Sequence, residues 1–261
     1  MNYFAISPNG ERVVWFADPD GGERGEWKEQ AFVDGPGDEQ SLKPDGFEPR
    51  YPQGIEVGNT TTVAAFSTSN RRFSVHKVSS GEATELHASS QPIVPRGMSP
   101  DGRLIALQDS TRHDDFEGPQ TRVLSLDDEQ ARDRTVAVLD HGPGREVVPI
   151  GFLGTPDGGH RLLVQYEDAV DRGSLLLWNP ATGEETALPA PPEGELGNRW
   201  DVRCYRMLVK TNRAGRVVAG FDDGANTRLC ELGPATQSVT RIPTPDGTID
   251  DFGIAPDGTV E

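Results

Sequence analysis

Five histidines, two cysteines and several short acidic runs are the residues of this 261-residue chain whose types could do chemistry. A nucleophile needs a base within hydrogen-bond reach and a third group to orient that base. His76, His87, His113, His141 and His160 are dispersed over segments that read as different sheets. His76 falls in a strand and the others fall in or beside polar turns, so they read as surface residues rather than bases. The Gly-x-Ser-x-Gly elbow that presents a serine nucleophile does not occur in the sequence. Metal chemistry finds no support either, because neither Cys-x-x-Cys nor His-x-x-x-His spacing is present. Asp18-x-Asp20-Gly21-x-Glu23 begins like a calcium loop but lacks its later ligands and its bidentate glutamate. It reads as an acidic hairpin turn. His113-Asp114-Asp115-x-Glu117 reads as a long charged turn placed to face a partner domain. No Gly-x-x-x-x-Gly-Lys-Ser/Thr phosphate loop is found. The sequence therefore assigns no catalytic residue, no cofactor and no metal ligand.

The bulk numbers narrow the field further. Net charge is -17, with 42 acidic against 25 basic residues. Such a chain repels phosphate backbones and anionic membrane surfaces, and no stretch gathers the basic stripe that nucleic acid requires. A solvated acidic surface accounts for the excess. The first residues lack the basic and apolar regions of a signal peptide, and no run approaches the ~20 apolar residues of a membrane helix. Cys204 and Cys230 sit in apolar strand-like runs and read as buried free thiols rather than a disulfide framework. A cytoplasmic location is expected from these features.

What must position any site is a repeat. Apolar residues make up 34% of the chain, with 30 glycines and 21 prolines, as expected of many short strands joined by tight turns. One phrase recurs: an apolar strand, a Pro-Asp-Gly type turn, then a second apolar strand. Its copies are Phe4-Ala5-Ile6-Ser7-Pro8-Asn9-Gly10, Gly97-Met98-Ser99-Pro100-Asp101-Gly102, Thr155-Pro156-Asp157-Gly158 and Ala255-Pro256-Asp257-Gly258. Weaker copies without proline run Gly54 to Asn59 and Leu208 to Gly215. Proline presets the first corner, Asp or Asn closes the turn through its side chain, and glycine takes the positive φ.

A second phrase follows each first one, an apolar strand, a polar turn and a short final strand. Leu175-Leu176-Leu177-Trp178-Asn179-Pro180-Ala181-Thr182-Gly183 with Thr186-Ala187-Leu188 is the clearest copy. Four-stranded units repeating every roughly 40 to 60 residues are the signature of propeller blades. The sequence gives five complete blades and the inner strand and turn of a sixth. Residues 1–261 are read as a single all-β propeller. Either the chain is a segment of a longer protein, or it is a five-bladed ring whose last strand supplements the first blade. Trp15, Phe16, Trp27 and Trp178 fall on strands and read as packing between blades, while Trp200 and Tyr205 flank a strand.

The run from Val14 through Trp15-Phe16-Ala17-Asp18-Pro19-Asp20-Gly21-Gly22-Glu23-Arg24-Gly25-Glu26 to Trp27 resembles the propeller of prolyl oligopeptidase-family serine peptidases, bacterial acylaminoacyl and dipeptidyl peptidases above all. Tyr51-Pro52-Gln53-Gly54-Ile55-Glu56-Val57-Gly58 and Arg161-Leu162-Leu163-Val164 resemble it too, so the likeness reaches nearly the whole chain. The ending Ala255 to Glu261 is similar to the stretch where such propellers approach their hydrolase domain. The Ser-Pro-Asp-Gly turn is shared with TolB-like propellers. The resemblance implies a non-catalytic propeller that gates peptide substrates into a separate α/β-hydrolase domain, its partner in the same chain or in trans. The departure is the missing Gly-x-Ser-x-Gly, so no family catalytic residue carries over to this chain. The alternative is a stand-alone TolB-like module that binds a protein or peptide. A propeller enzyme such as a lactonase would need carboxylate, Asn or His ligands clustered at the channel, and sequence order gives no sign of them.

Overall fold

A computed structural model describes residues 4–19, 21, 25–32, 39–42, 51–68, 70–79, 82–110, 119–127, 134–142, 145–155, 158–167, 173–189, 208–212, 215–223, 226–249, 251–255 and 258–260. Among these residues there is no helix, and twenty strands form five antiparallel sheets of four. Each sheet contains only consecutive strands, the arrangement of propeller blades. The chain is an all-β propeller with four-stranded blades. It divides into two compact units, Met1–Asp140 and His141–Glu261.

The first unit holds three blades. The first comprises β1 (Phe4–Ile6), β2 (Arg12–Ala17), β3 (Glu26–Ala31) and β4 (Gln40–Ser41). The second comprises β5 (Tyr51–Val57), β6 (Thr62–Ser67), β7 (Phe73–Ser79) and β8 (Glu82–Ser89). The third comprises β9 (Ile93–Met98), β10 (Leu104–Asp109), β11 (Gln120–Ser125) and β12 (Thr135–Leu139). Its core lies between blades rather than within one. Val14 and Trp27 of the first blade pack with Ala64 and Phe66 of the second, and Phe16 meets Trp27 edge-on at 5.3 Å. The other face of the second blade presents Val63, Ala65 and Val75 to Ile105 and Leu107 of the third. Period-2 alternation thus serves two interfaces at once, which is why these strands are apolar on both faces.

The second unit holds two blades: β13 (Val147–Gly154), β14 (His160–Glu167), β15 (Gly173–Trp178) and β16 (Glu185–Ala187), then β17 (Val209–Thr211), β18 (Val217–Asp223), β19 (Asn226–Gly233) and β20 (Ser238–Ile242). Leu163, Leu175 and Leu177 pack against Val217, Ala219, Cys230 and Leu232. Cys230 is buried in this cluster, whereas Cys204 lies outside the described residues. The far face of the last blade is covered by Phe252, Ile254 and Val260. Ile254 and Val260 form a single bridge, the trace of the sixth strand-and-turn copy.

The Asn or Asp side chain closes the recurring turn as expected, Asn9 Oδ1 accepting the Glu11 N–H (3.2 Å) and Asp101 Oδ1 the Arg103 N–H (3.1 Å), and the residue before the proline adds to it. Ser7 Oγ donates to Asn9 Oδ1 (2.7 Å) and accepts the Arg12 N–H (2.9 Å). Ser99 Oγ likewise donates to Asp101 Oδ1 (2.6 Å) and accepts the Arg103 and Leu104 N–H groups (3.1 and 2.9 Å). The same pair of backbone bonds brackets Ser7, Ser99, Thr155, Asn212 and Ala255, so the turn persists where serine is lost. The turn glycines Gly10 and Gly102 sit at φ 74° and 73°, as expected.

Candidate functional site

His76 and His87 prove to share one blade, on the neighbouring strands β7 and β8, rather than lying in different blades. His87 lies within β8 rather than in a turn, and His160 opens β14 directly beside its turn, as expected. His76 Nε2 lies 3.0 Å from Ser74 Oγ and 3.9 Å from Glu85 Oε2. This has the members of a triad without its geometry. Serine and carboxylate both lie on Nε2, so the carboxylate cannot orient the ring from the opposite nitrogen. Ser74 is fully buried, out of reach of any substrate. Burial also pushes the imidazole down to about 4, so it is neutral and a poor base at pH 7.

Asp109 is the other buried polar centre. Its Oδ2 accepts from Arg122 Nε (2.6 Å) and Gln120 Nε2 (3.3 Å), and His87 Nε2 from the preceding blade lies 3.7 Å away. The fully buried carboxylate, bound by a guanidinium and an amide of β11, ties β10 to β11 within the third blade. His141 bonds Glu185 (2.9 Å) and meets Tyr166 edge-on, and His160 lies against Phe152. No group of three metal-ligating side chains exists among the described residues. Asp20, Glu23, His113, Asp114, Asp115, Glu117, Trp200 and Tyr205 lie outside them. Trp27 and Trp178 are core residues, as expected.

The residues that sequence reasoning passed over lie on the first strand of each blade. These strands are innermost: β5 lies against β1 and β9, and β13 against β17. Three of them carry the same tripeptide, Pro52-Gln53-Gly54, Pro95-Arg96-Gly97 and Pro149-Ile150-Gly151. In each, the proline and the glycine pair with successive residues of the next strand, so the middle residue is bulged out of register. Proline suits the position because a bulge needs one ladder donor fewer. Glycine suits it because neighbours crowd it. A Cβ on Gly54, itself at φ 129°, would lie 3.0 Å from Val94 Cγ1 and 3.3 Å from Pro95 Cδ. One on Gly151 would lie 3.3 Å from Thr211 Oγ1.

The bulged side chains reach equivalent partners. Gln53 Nε2 donates to Ser67 Oγ at 3.4 Å, and Ser67 pairs with the residue before Pro52. Arg96 donates through Nε and Nη2 to Gln108 Oε1 (3.0 and 2.8 Å), and Gln108 pairs with the residue before Pro95. The equivalent of Gln108 in the fourth blade is Gln165, opposite Val148. There Ile150 has nothing to donate, and the buried Gln165 Oε1 has no hydrogen-bond partner among the described residues.

Beside Arg96 stands Glu56 of β5. It is half-buried, and burial pushes its carboxyl up to about 7 although the Arg96 charge draws it back. Arg96 is exposed, yet burial holds its guanidinium below the ordinary value, with Glu56 opposing. Gln53, Glu56 and Arg96 thus put an amide, a carboxyl and a guanidinium on the adjacent inner strands β5 and β9, a set that can bind charged ligands.

No family model matches the chain, and no curated protein is similar to it in sequence. Solved structures are similar in fold. A prolyl endopeptidase matches with TM-score 0.65 at 12% identity, over 94% of this chain and 35% of its own. The β-propeller domain of the Trilobed protease from Pyrococcus furiosus matches with TM-score 0.62 at 10% identity, over 96% of this chain and 73% of that domain. TolB from Acinetobacter baumannii matches with TM-score 0.55 at 11% identity, over 96% of this chain and 57% of that one. At these identities the likeness establishes the propeller fold. The chain spans about a third of the length of the prolyl endopeptidase it matches.

Proposed function

We propose that this chain is the non-catalytic propeller of a prolyl oligopeptidase-like serine peptidase, part of a longer protein, gating peptides on their way to a separate α/β-hydrolase domain. The observation that carries this reading is the fold likeness to a prolyl endopeptidase, which takes in 94% of this chain within a much longer protein. The likeness to a protease propeller supports it, as does the polar set of Gln53, Glu56 and Arg96 on the inner strands. The mechanism is steric and electrostatic. A narrow path between inner strands admits an extended peptide, whose backbone finds polar partners there, and turns away a folded chain. A cytoplasmic setting belongs to the same proposal.

The test is a fusion of this chain to the hydrolase domain encoded beside it, assayed with a short chromogenic peptide and with the same scissile sequence inside a folded protein. Preference for the short substrate, lost when the propeller is deleted, is the expected result. Equal cleavage of both refutes gating. A second reading, a stand-alone module that binds a protein or peptide, is favoured by the likeness to TolB. A downstream Gly-x-Ser-x-Gly domain in the same reading frame decides against it.

A further inference from the structure

The bulge recurs in three blades with three different central residues, and the comparison between them isolates what the side chain adds. In the fourth blade Ile150 occupies the bulge and packs onto the apolar cluster, and the backbone device forms all the same. A polar residue is therefore not needed to build the bulge. Arg96 at that position is extra chemistry, aimed from an inner strand into solvent.

The arginine is held but not neutralised. One edge of its fork, Nε and Nη2, is fixed on the neutral Gln108 Oε1, which orients the guanidinium plane. No carboxylate lies within ion-pair distance of it among the described residues, Glu56 included. Other blade arginines are matched: Arg12 with Glu29 at 2.7 Å, Arg122 with Asp109 at 2.6 Å, Arg216 with Glu231 at 2.8 Å. In a chain of net charge -17, an oriented guanidinium on an inner strand, with Glu56 nearby but outside ion-pair distance, can take an anion. The guanidinium fork matches a carboxylate better than any other common anion of peptides, because two parallel N–H groups meet two oxygens. Gln53 sits at the equivalent bulge of the neighbouring inner strand β5, where its amide donates to Ser67 Oγ at 3.4 Å.

We propose that Arg96, oriented by Gln108, is a carboxylate-recognition point on the inner strands that selects the C-terminal carboxylate of a short peptide. The choice of peptide as ligand rests on the gating reading; the anion site itself does not. A free C-terminus marks an oligopeptide as opposed to an internal stretch of a folded chain. A carboxylate anchor therefore adds chemical selection to size selection.

The test measures binding to the purified chain by NMR titration of three peptides: N-acetyl-Ala-Ala with a free carboxylate, its C-terminal amide, and N-acetyl-Glu-Ala amide. A charge-assisted contact favours the free acid over the amide by roughly 10- to 100-fold. Arg96→Met should remove that preference and Arg96→Lys should keep part of it. Should Arg96→Met fail to fold, Gln108→Glu serves instead, since it places a carboxylate on the fork and should abolish acid binding with the arginine present. Equal binding of the two acidic peptides supports the site and widens its ligand to any carboxylate. Equal binding of acid and amide by the unmodified chain, or a preference that survives Arg96→Met, overturns the inference. Failure here with size discrimination intact in the fusion protein would leave gating standing. An acid preference without size discrimination would do the reverse.

Discussion

Replacing Glu56 with glutamine should stabilise the protein above neutral pH and leave it unchanged in acid. In the folded chain burial raises the carboxyl from its ordinary 4.5 to about 7. Below 4.5 both folded and unfolded states hold the proton, and the group makes no difference. Between 4.5 and 7 the unfolded chain gives up its proton while the folded chain keeps it. The folded state then binds more protons, so stability falls as pH rises through this window. Above 7 the side chain is ionised in both states and the loss is complete. A rise from 4.5 to about 7 corresponds to about 3 kcal/mol at ~1.4 kcal/mol per pH unit. Glu56 keeps some solvent contact, which reduces the figure to about 1–2 kcal/mol. Glutamine has the shape of the protonated acid and no charge to bury. Glu56→Gln should therefore raise Tm by a few degrees at pH 8, given about 2–4 °C per kcal/mol for a protein of this size. At pH 4.5 the two melting curves should coincide. The assay is differential scanning calorimetry of both proteins across pH 4.5 to 8.5. A lower Tm for Glu56→Gln at pH 8 would mean that attraction to Arg96 outweighs burial, and a pH-independent difference would mean that the carboxyl is not the cause. Either result refutes the reasoning.

Three further outcomes follow from the same geometry. His76, pushed down to about 4 by burial, should remain neutral to well below its ordinary 6.5. It opposes folding only as pH falls from 6.5 toward 4, and its ring resonances should not titrate between pH 8 and 5.5; a midpoint near 6.5 contradicts the burial. Gly54→Val should destabilise by about 2–4 kcal/mol, combining strain at φ 129° with a Cβ 3.0 Å from Val94; thermal melting within a degree of the parent would refute the close approach of β5 and β9. Gln165→Leu removes a buried acceptor without a partner, so it should be neutral or stabilise by up to about 2 kcal/mol, and a clear loss in denaturant unfolding would show that the amide is used.

The blades were legible because their signal is local and repeated. Ser-Pro-Asp-Gly and its relatives name the hairpin between the first two strands, and strand periodicity supplies the rest. Even degenerate copies such as Asn212 to Gly215 keep the bracketing bonds. His87 was misplaced for the opposite reason. The outermost strand Glu82–Ser89 carries polar residues on its exposed face, so His87 looks like a turn residue. The inner-strand site was missed although its signal was present three times as Pro-x-Gly. Proline inside an apolar run reads as the end of a strand, and only the register shows that the chain bulges and continues. Glu56 and Arg96 lie forty residues apart in sequence and are brought together by the packing of one blade on the next. No spacing rule encodes that distance.

Each sheet is made of four strands that follow one another directly, so nearly all ladder bonds join residues close in sequence. Low contact order of this kind speeds folding, because little loop entropy is lost before pairing begins. A blade can close as soon as its fourth strand leaves the ribosome, and its open apolar face then waits for the next. Growth within each compact unit is thus vectorial: a finished blade becomes the template against which the following one condenses. Mechanical extension from either terminus should run the process backwards, as a sawtooth of single-blade releases rather than one collective rupture.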